Sequence, residues 1–244
     1  MIDLTSRQIQ ILRAVIEEYL ETAEAVGSET IDRKYNLGVS PATIRNEMVY
    51  LSEQGYLKQL HTSAGRVPTP LALKLYVKEL MNKKNLSVAD EVSVKENIWE
   101  NRDNLEHLLR HAAKELADRT KSIGIALTDD HQTYASGYAY LLNIPEFMNI
   151  DVTRTLFSLL EETQQLEHIF HKESTGEEIV HMVFGGDLGN QYLDPVSILF
   201  TNFTCANTRC SLGVIGSNSV DYSYIIPMLE HVHNMMATLV PGKK

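Results

Sequence analysis

Gly38-Val39-Ser40-Pro41-Ala42-Thr43-Ile44-Arg45-Asn46-Glu47-Met48 is the stretch on which the fold turns. Glycine reaches positive φ without steric cost, so Gly38 marks a tight turn. Ser40 followed by Pro41 reads as a helix N-cap with proline at the first helical position, where no amide donor is missed. The helix is predicted to run to about residue 54 and to stop at Gly55. On it Ile44, Met48 and Leu51 fall on one face. Ala42, Asn46 and Val49 fall on the opposite face, flanked by Thr43, Arg45 and Tyr50.

Outward from this helix the neighbouring segments read as its partners. Residues 5–24 form a predicted helix capped by Thr5, with Ile9, Leu12, Ile16, Tyr19 and Leu20 as its apolar stripe. Gly27 ends that segment, and Ser28 caps a short helix over 29–35. Downstream, 56–60 alternates like a strand, 61–65 is a loop and 66–69 a return strand that Pro68 confines to a sheet edge. A further helix is predicted over 71–82. Three helices, a hairpin and a helix make a winged helix-turn-helix, expected over residues 1–84.

That arrangement puts a guanidinium and an amide near the start of the third helix, where a recognition helix meets base edges. Arg45 suits guanine, Asn46 suits adenine, and Ala42 can touch a thymine methyl. Ser40, Thr43 and the free helix amides can hold phosphate. The hairpin adds Lys58, His61, Thr62, Ser63 and Arg66 as a wing along the backbone. Alone, Arg45 and Asn46 on a surface helix mean only solvation; it is the agreement of turn, caps and basic hairpin that favours double-stranded DNA. A net charge of −10 argues the other way, but its distribution matters more. Residues 1–84 carry +1 and the remaining 160 carry −11.

Residues 85–121 read as a helical stalk between domains, with Ile98, Leu105, Leu108, Leu109, Ala112 and Leu116 as a stripe. Residues 122–244 mix strands (122–128, 133–138, 179–184, 196–205, 210–215) with helices (152–162, 165–171, 224–239), a regulatory α+β domain. Cys205 and Cys210 are expected as small hydrophobes in a strand pair. His107 with His111, His168 with His171, and His231 with His233 each supply two ligands where a metal site needs more. Asp129-Asp130-His131 reads as a turn and the glycines of 185–190 as a hairpin turn. Catalytic, cofactor and metal sites are therefore expected to be absent, and the protein not an enzyme. No apolar run is long enough to span a membrane and the N-terminus lacks a signal-peptide layout, so a soluble, cytoplasmic protein is expected.

The N-terminal residues also resemble a known family. Leu4-Thr5-Ser6-Arg7-Gln8, Val26-Gly27-Ser28, the stretch from Gly38 to Met48, and His61-Thr62-Ser63-Ala64-Gly65-Arg66 followed by Pro68-Thr69 are similar to the heat-inducible transcription repressor family HrcA. The segment from Gly137 to Phe147, and Leu212-Gly213-Val214-Ile215-Gly216 followed by Asp221-Tyr222, carry the resemblance further. It implies a repressor of chaperone operons, an inverted-repeat operator released on heat stress, a GAF-like second domain and dependence on a chaperonin. Three departures stand out. Ala25 replaces a proline, and Ser217-Asn218-Ser219-Val220 replaces a characteristic loop. Five residues, Asp129 to Thr133, replace an inserted dimerisation domain. A two-fold operator still calls for a homodimer, with Ile98, Trp99, Leu105 and Leu109 of the stalk and Met228, Val232, Met235 and Met236 of the last helix as candidate contacts. The alternative is a winged-helix regulator switched by a small molecule in the C-terminal domain.

Overall fold

A computed structural model describes residues 4–61, 64–172, 178–205 and 207–238. The chain forms two compact units, Met1–Asn82 and Lys83–Lys244, in an α+β architecture.

In the first unit α1 (Ser6–Thr22), α2 (Ser28–Tyr35) and α3 (Pro41–Glu53) precede β1 (Leu57–Gln59), β2 (Arg66–Pro68) and α4 (Pro70–Leu75), which continues through a wider turn, Tyr76–Leu80. Local chemistry sets these boundaries. Thr5 and Gln8 form a reciprocal capping box at the start of α1. Ser40 accepts from the Thr43 amide and Pro41 opens α3. Gly38 and Gly55 both take positive φ at the turns the sequence assigns them. At α2 the N-cap position is Gly27, not Ser28, and no side chain caps it. Ile11, Leu12, Val15, Ile16, Ile31, Ile44, Met48, Leu51 and Leu73 are all fully buried and form the core. β1 and β2 pair antiparallel, Lys58 opposite Val67, and Arg66 forms an isolated bridge with Val26.

The second unit begins with α5 (Val88–Glu100) and α6 (Leu105–Thr120). The single stalk expected over 85–121 is instead two helices folded into this unit. Asn101–Asn104 interrupts the apolar pattern, and Asn104 caps α6 by accepting from the His107 amide at 3.0 Å. Then follow β3 (Ile123–Thr128), β4 (Thr133–Ser136), α7 (Tyr138–Leu141), α8 (Ile150–Glu161), α9 (Thr163–Lys172), β5 (His181–Phe184), β6 (Val196–Cys205), β7 (Thr208–Ser217) and α10 (Tyr222–Thr238). The strands form one antiparallel sheet in the order β4-β3-β7-β6-β5.

Alternation along the strands divides the side chains between two faces. Ile123, Ile125, Leu127, Ile198, Phe200 and Ile215 join Leu156 of α8 and Leu166 and Phe170 of α9 in one core. The opposite face lies against α6 and α10. α6 approaches β3 so closely that a Cβ on Gly124 would sit 1.9 Å from the Ala113 carbonyl oxygen. Small residues on both elements, Ala113 and Ala117 against Gly124, permit this contact, which a stalk exposed to solvent would not need.

Candidate nucleic-acid interface

α3 is amphipathic in the sense its sequence requires. Ile44, Met48 and Leu51 are buried, while Ala42, Arg45 and Asn46 are exposed. At its start the Ser40 and Thr43 hydroxyls lie 3.0 Å apart, and Ser40 Oγ accepts the Thr43 amide at 3.2 Å. This leaves a solvent-facing helix N-terminus bearing two hydroxyls, a guanidinium and an amide. Such a surface offers bidentate donors to bases and amide donors to phosphate.

The residues of the hairpin differ in exposure. Lys58 and His61 are exposed, as a wing in contact with a phosphate backbone would need. Thr62 and Ser63 lie outside the described residues. Arg66 is partly buried: its Nε donates to Ser52 Oγ at 2.8 Å, and its backbone exchanges two 2.9 Å hydrogen bonds with Val26. Burial, and after it the nearby Arg45 cation, lower the pKa of the Arg66 guanidinium. Arg45 thus lies close enough for its charge to act on Arg66.

Sequence reading passed over the residues that hold this surface in place. Gln8 Nε2 donates to Glu47 Oε2 at 3.0 Å, and Arg7 Nε lies 3.4 Å from Glu47 Oε1. Ser52 anchors the hairpin from the other end of α3. The available signal was the position of Arg7, Gln8 and Glu47 inside the stretches that carry the family resemblance.

In the second unit the other constellations settle into structural roles. Cys205 and Cys210 are buried thiols on adjacent strands, and burial pushes the Cys210 thiol up to about 12, so it stays protonated. Asp129 Oδ2 accepts from the Arg209 amide at 3.2 Å, and the Asp130 carboxylate pairs with the Thr128 hydroxyl. Asp130 thereby satisfies a group at the β3–β4 turn, and Asp129 ties that turn to β7. His131, at positive φ in that turn, pairs with Glu167 at 2.9 Å, which raises its pKa. His107, His111 and His168 are exposed on their helices. No helix among the described residues is long and apolar enough to cross a membrane.

Comparison with known proteins places a chain of this organisation among transcription repressors. A family model described as the HrcA protein C terminal domain matches residues 45–226, and the chain belongs to the HrcA family. The heat-inducible transcription repressor HrcA of Carboxydothermus hydrogenoformans is 27% identical, over an alignment covering all of this chain and 99% of that protein. That alignment has 345 positions for 244 residues, so about 100 positions of the relative face no residue here. The HrcA of Clostridium tetani is 38% identical over 74% of this chain and 51% of its own length. That of Desulforamulus reducens is 55% identical over 38% of this chain and 26% of its own. Against these two relatives the chain spans about half their length or less. The crystal structure of a hypothetical protein superposes with a TM-score of 0.75 over 98% of this chain and 99% of that one, at 17% identity, a likeness of fold alone.

Proposed function

We propose that residues 1–84 are a winged helix-turn-helix through which this HrcA-family chain represses heat-shock genes, binding a double-stranded, inverted-repeat operator as a cytoplasmic homodimer. The observation that carries the reading is the exposure of Arg45 and Asn46 on α3, opposite a fully buried Ile44, beside an Arg66 that Ser52 holds in place. Arg45 and Asn46 read bases from the N-terminal half of α3, with Ala42 against a methyl group. Ser40, Thr43, Lys58, His61 and Arg66 contact the backbone, together with Thr62 and Ser63 of the wing. The second unit serves as a GAF-like regulatory domain.

The test is selection of duplexes from a randomised pool by the full chain, followed by binding titration. An enriched sequence with two-fold symmetry is expected; enrichment of nothing above a random duplex would end the proposal. Heat release and chaperonin dependence are tested separately. Purified protein is heated, cooled and assayed on the selected duplex with and without chaperonin and ATP. Binding is expected to return in full only with the chaperonin, and complete spontaneous recovery would remove the chaperonin from the mechanism.

A further inference from the structure

We infer that Gln8, a residue of α1, is a positioning residue for operator selectivity, acting through Glu47 to fix the setting of α3. This rests on the reading of α3 as the recognition helix.

The argument begins with what apolar packing leaves undetermined. Ile44, Met48 and Leu51 bury α3 against its neighbours, but hydrophobic contact is non-directional and tolerates small slides and rotations. Base readout does not, because a bidentate Arg–guanine or Asn–adenine pair demands hydrogen-bond geometry. Some directional contact must therefore hold the axis.

Gln8 has the necessary connections. It is only 9% exposed, and each polar atom of its amide is committed. Its Oε1 accepts the Thr5 amide at 2.9 Å, and its Nε2 donates to Glu47 Oε2 at 3.0 Å. The capping box holds the Gln8 side chain in one orientation, so the bond to Glu47 has a fixed origin on α1. Glu47 follows Asn46 directly and lies two residues past Arg45. Its second oxygen faces Arg7 at 3.4 Å. Ser52 ties the far end of α3 to the hairpin through Arg66. α3 is tied to α1 through Glu47, which meets both Gln8 and Arg7, and to β2 through Ser52. The tie at Glu47 lies beside the residues proposed to read bases.

The test exploits the reversibility of the Gln8–Glu47 bond. Gln8→Glu keeps a capping-box acceptor but sets a carboxylate against Glu47. Adding Glu47→Gln restores the bond with donor and acceptor exchanged and returns the net charge to its starting value. The readout is the ratio of affinities of the full chain for the duplex recovered by pool selection and for a random duplex. The added charge of the single variant acts on both duplexes alike and cancels in that ratio. The single variant is expected to lose roughly tenfold in discrimination, the scale of one lost charge-assisted bond, and the double variant to recover it. Gln8→Met, of similar size and without the amide, carries the same expected loss. A role in folding alone would lower binding to both duplexes together. Retained discrimination in Gln8→Glu and Gln8→Met, or failure of the folded double variant to recover it, overturns the inference. Arg45→Ala in the same assay separates the two readings. Loss of discrimination there, without loss in the Gln8 variants, sinks the positioning role and leaves the recognition helix standing. No loss at Arg45 removes the recognition helix itself.

Discussion

Arg66 Nε donates to Ser52 Oγ across 2.8 Å, so the basic residue of the hairpin is fastened to the last turn of α3. The two parts of the proposed DNA surface are one mechanical piece. Ser52→Ala removes the acceptor and leaves the Arg66 charge. Its expected effect is a modest loss of stability, about 1 kcal/mol, with a weaker grip on every duplex. Arg66→Ala removes the charge as well, and its affinity should fall less steeply with salt. Titrations at several salt concentrations distinguish the two; identical salt slopes for Arg66→Ala and the unaltered chain would take Arg66 out of the phosphate contacts.

Arg45→Ala and Asn46→Ala are expected to behave differently from Lys58→Ala. The first two should relax base preference at separate operator positions, each by about 1–3 kcal/mol. Lys58→Ala should weaken all duplexes to a similar degree and flatten the salt dependence. Competitive binding with single-base operator variants measures the split. Unchanged selectivity in Arg45→Ala would move the reading surface off this face of α3.

Gly124→Ala tests the packing of α6 on the sheet. The new methyl would sit 1.9 Å from the Ala113 carbonyl oxygen and 2.9 Å from the Ala117 nitrogen, both helix backbone that cannot swing aside. A loss of about 3 kcal/mol is expected, roughly 10 °C in melting temperature. Thermal unfolding followed by circular dichroism measures it. A melting temperature within a degree or two of the unaltered chain would mean α6 does not rest on β3.

Much of this was legible in the sequence where local chemistry and burial agree. Gly38, Ser40 and Pro41 fix the start of α3 through backbone rules that need no tertiary partner, and the apolar period of Ile44, Met48 and Leu51 names its buried face. β6 was read to its observed ends because ten nearly continuous buried residues leave no other element to form. The break at Asn101–Asn104 was missed because the apolar stripe resumes in phase beyond it, and only the Asn104 cap marks the new start. Gln8, Glu47 and Ser52 were missed for a different reason. Their importance lies in pairings 39 and 14 residues apart, which no local pattern encodes.

Two imidazoles give the second unit a pH dependence. Burial lowers the pKa of His233, whose Nδ1 lies 2.6 Å from Thr201 Oγ1, and burial likewise lowers that of His181. In the unfolded chain both titrate near the ordinary value of 6.5. The stabilising neutral state is therefore fully present above pH 6.5 and is lost as pH falls toward the depressed folded values. His131 acts in the opposite sense, adding stability below 6.5 that fades as pH rises through its raised value, but its imidazole is exposed and contributes little. Urea midpoints at pH 7.5 and 5.5 are expected to fall for the unaltered chain and to fall less for His233→Gln. An equal fall in both would show that His233 does not carry the effect.

Dimerisation is the last expectation, and burial redirects where to look for it. An inverted repeat asks for two copies related by a two-fold axis, because one recognition helix covers too few base pairs for tight specific binding. Most side chains first suggested as contacts are already used inside the second unit. Ile98, Leu109, Met228, Val232 and Met236 are at most 2% exposed. Leu105 and Met235 are half-buried, whereas Trp99 is 56% exposed and its ring is stacked by Arg102. Val88 and Val92 are exposed on the same outer face of α5, four and eleven residues being close to whole helical turns. A stripe of two valines and a tryptophan is the kind of surface a symmetric antiparallel helix pair buries, with tryptophan as its anchor. Light scattering of the full chain at micromolar concentration should give a dimer. Val92→Glu with Trp99→Glu should shift it to monomer and reduce operator binding far more than binding to a half-site. A dimer untouched by both substitutions would place the interface elsewhere, and a monomer with and without operator would remove two-fold recognition altogether.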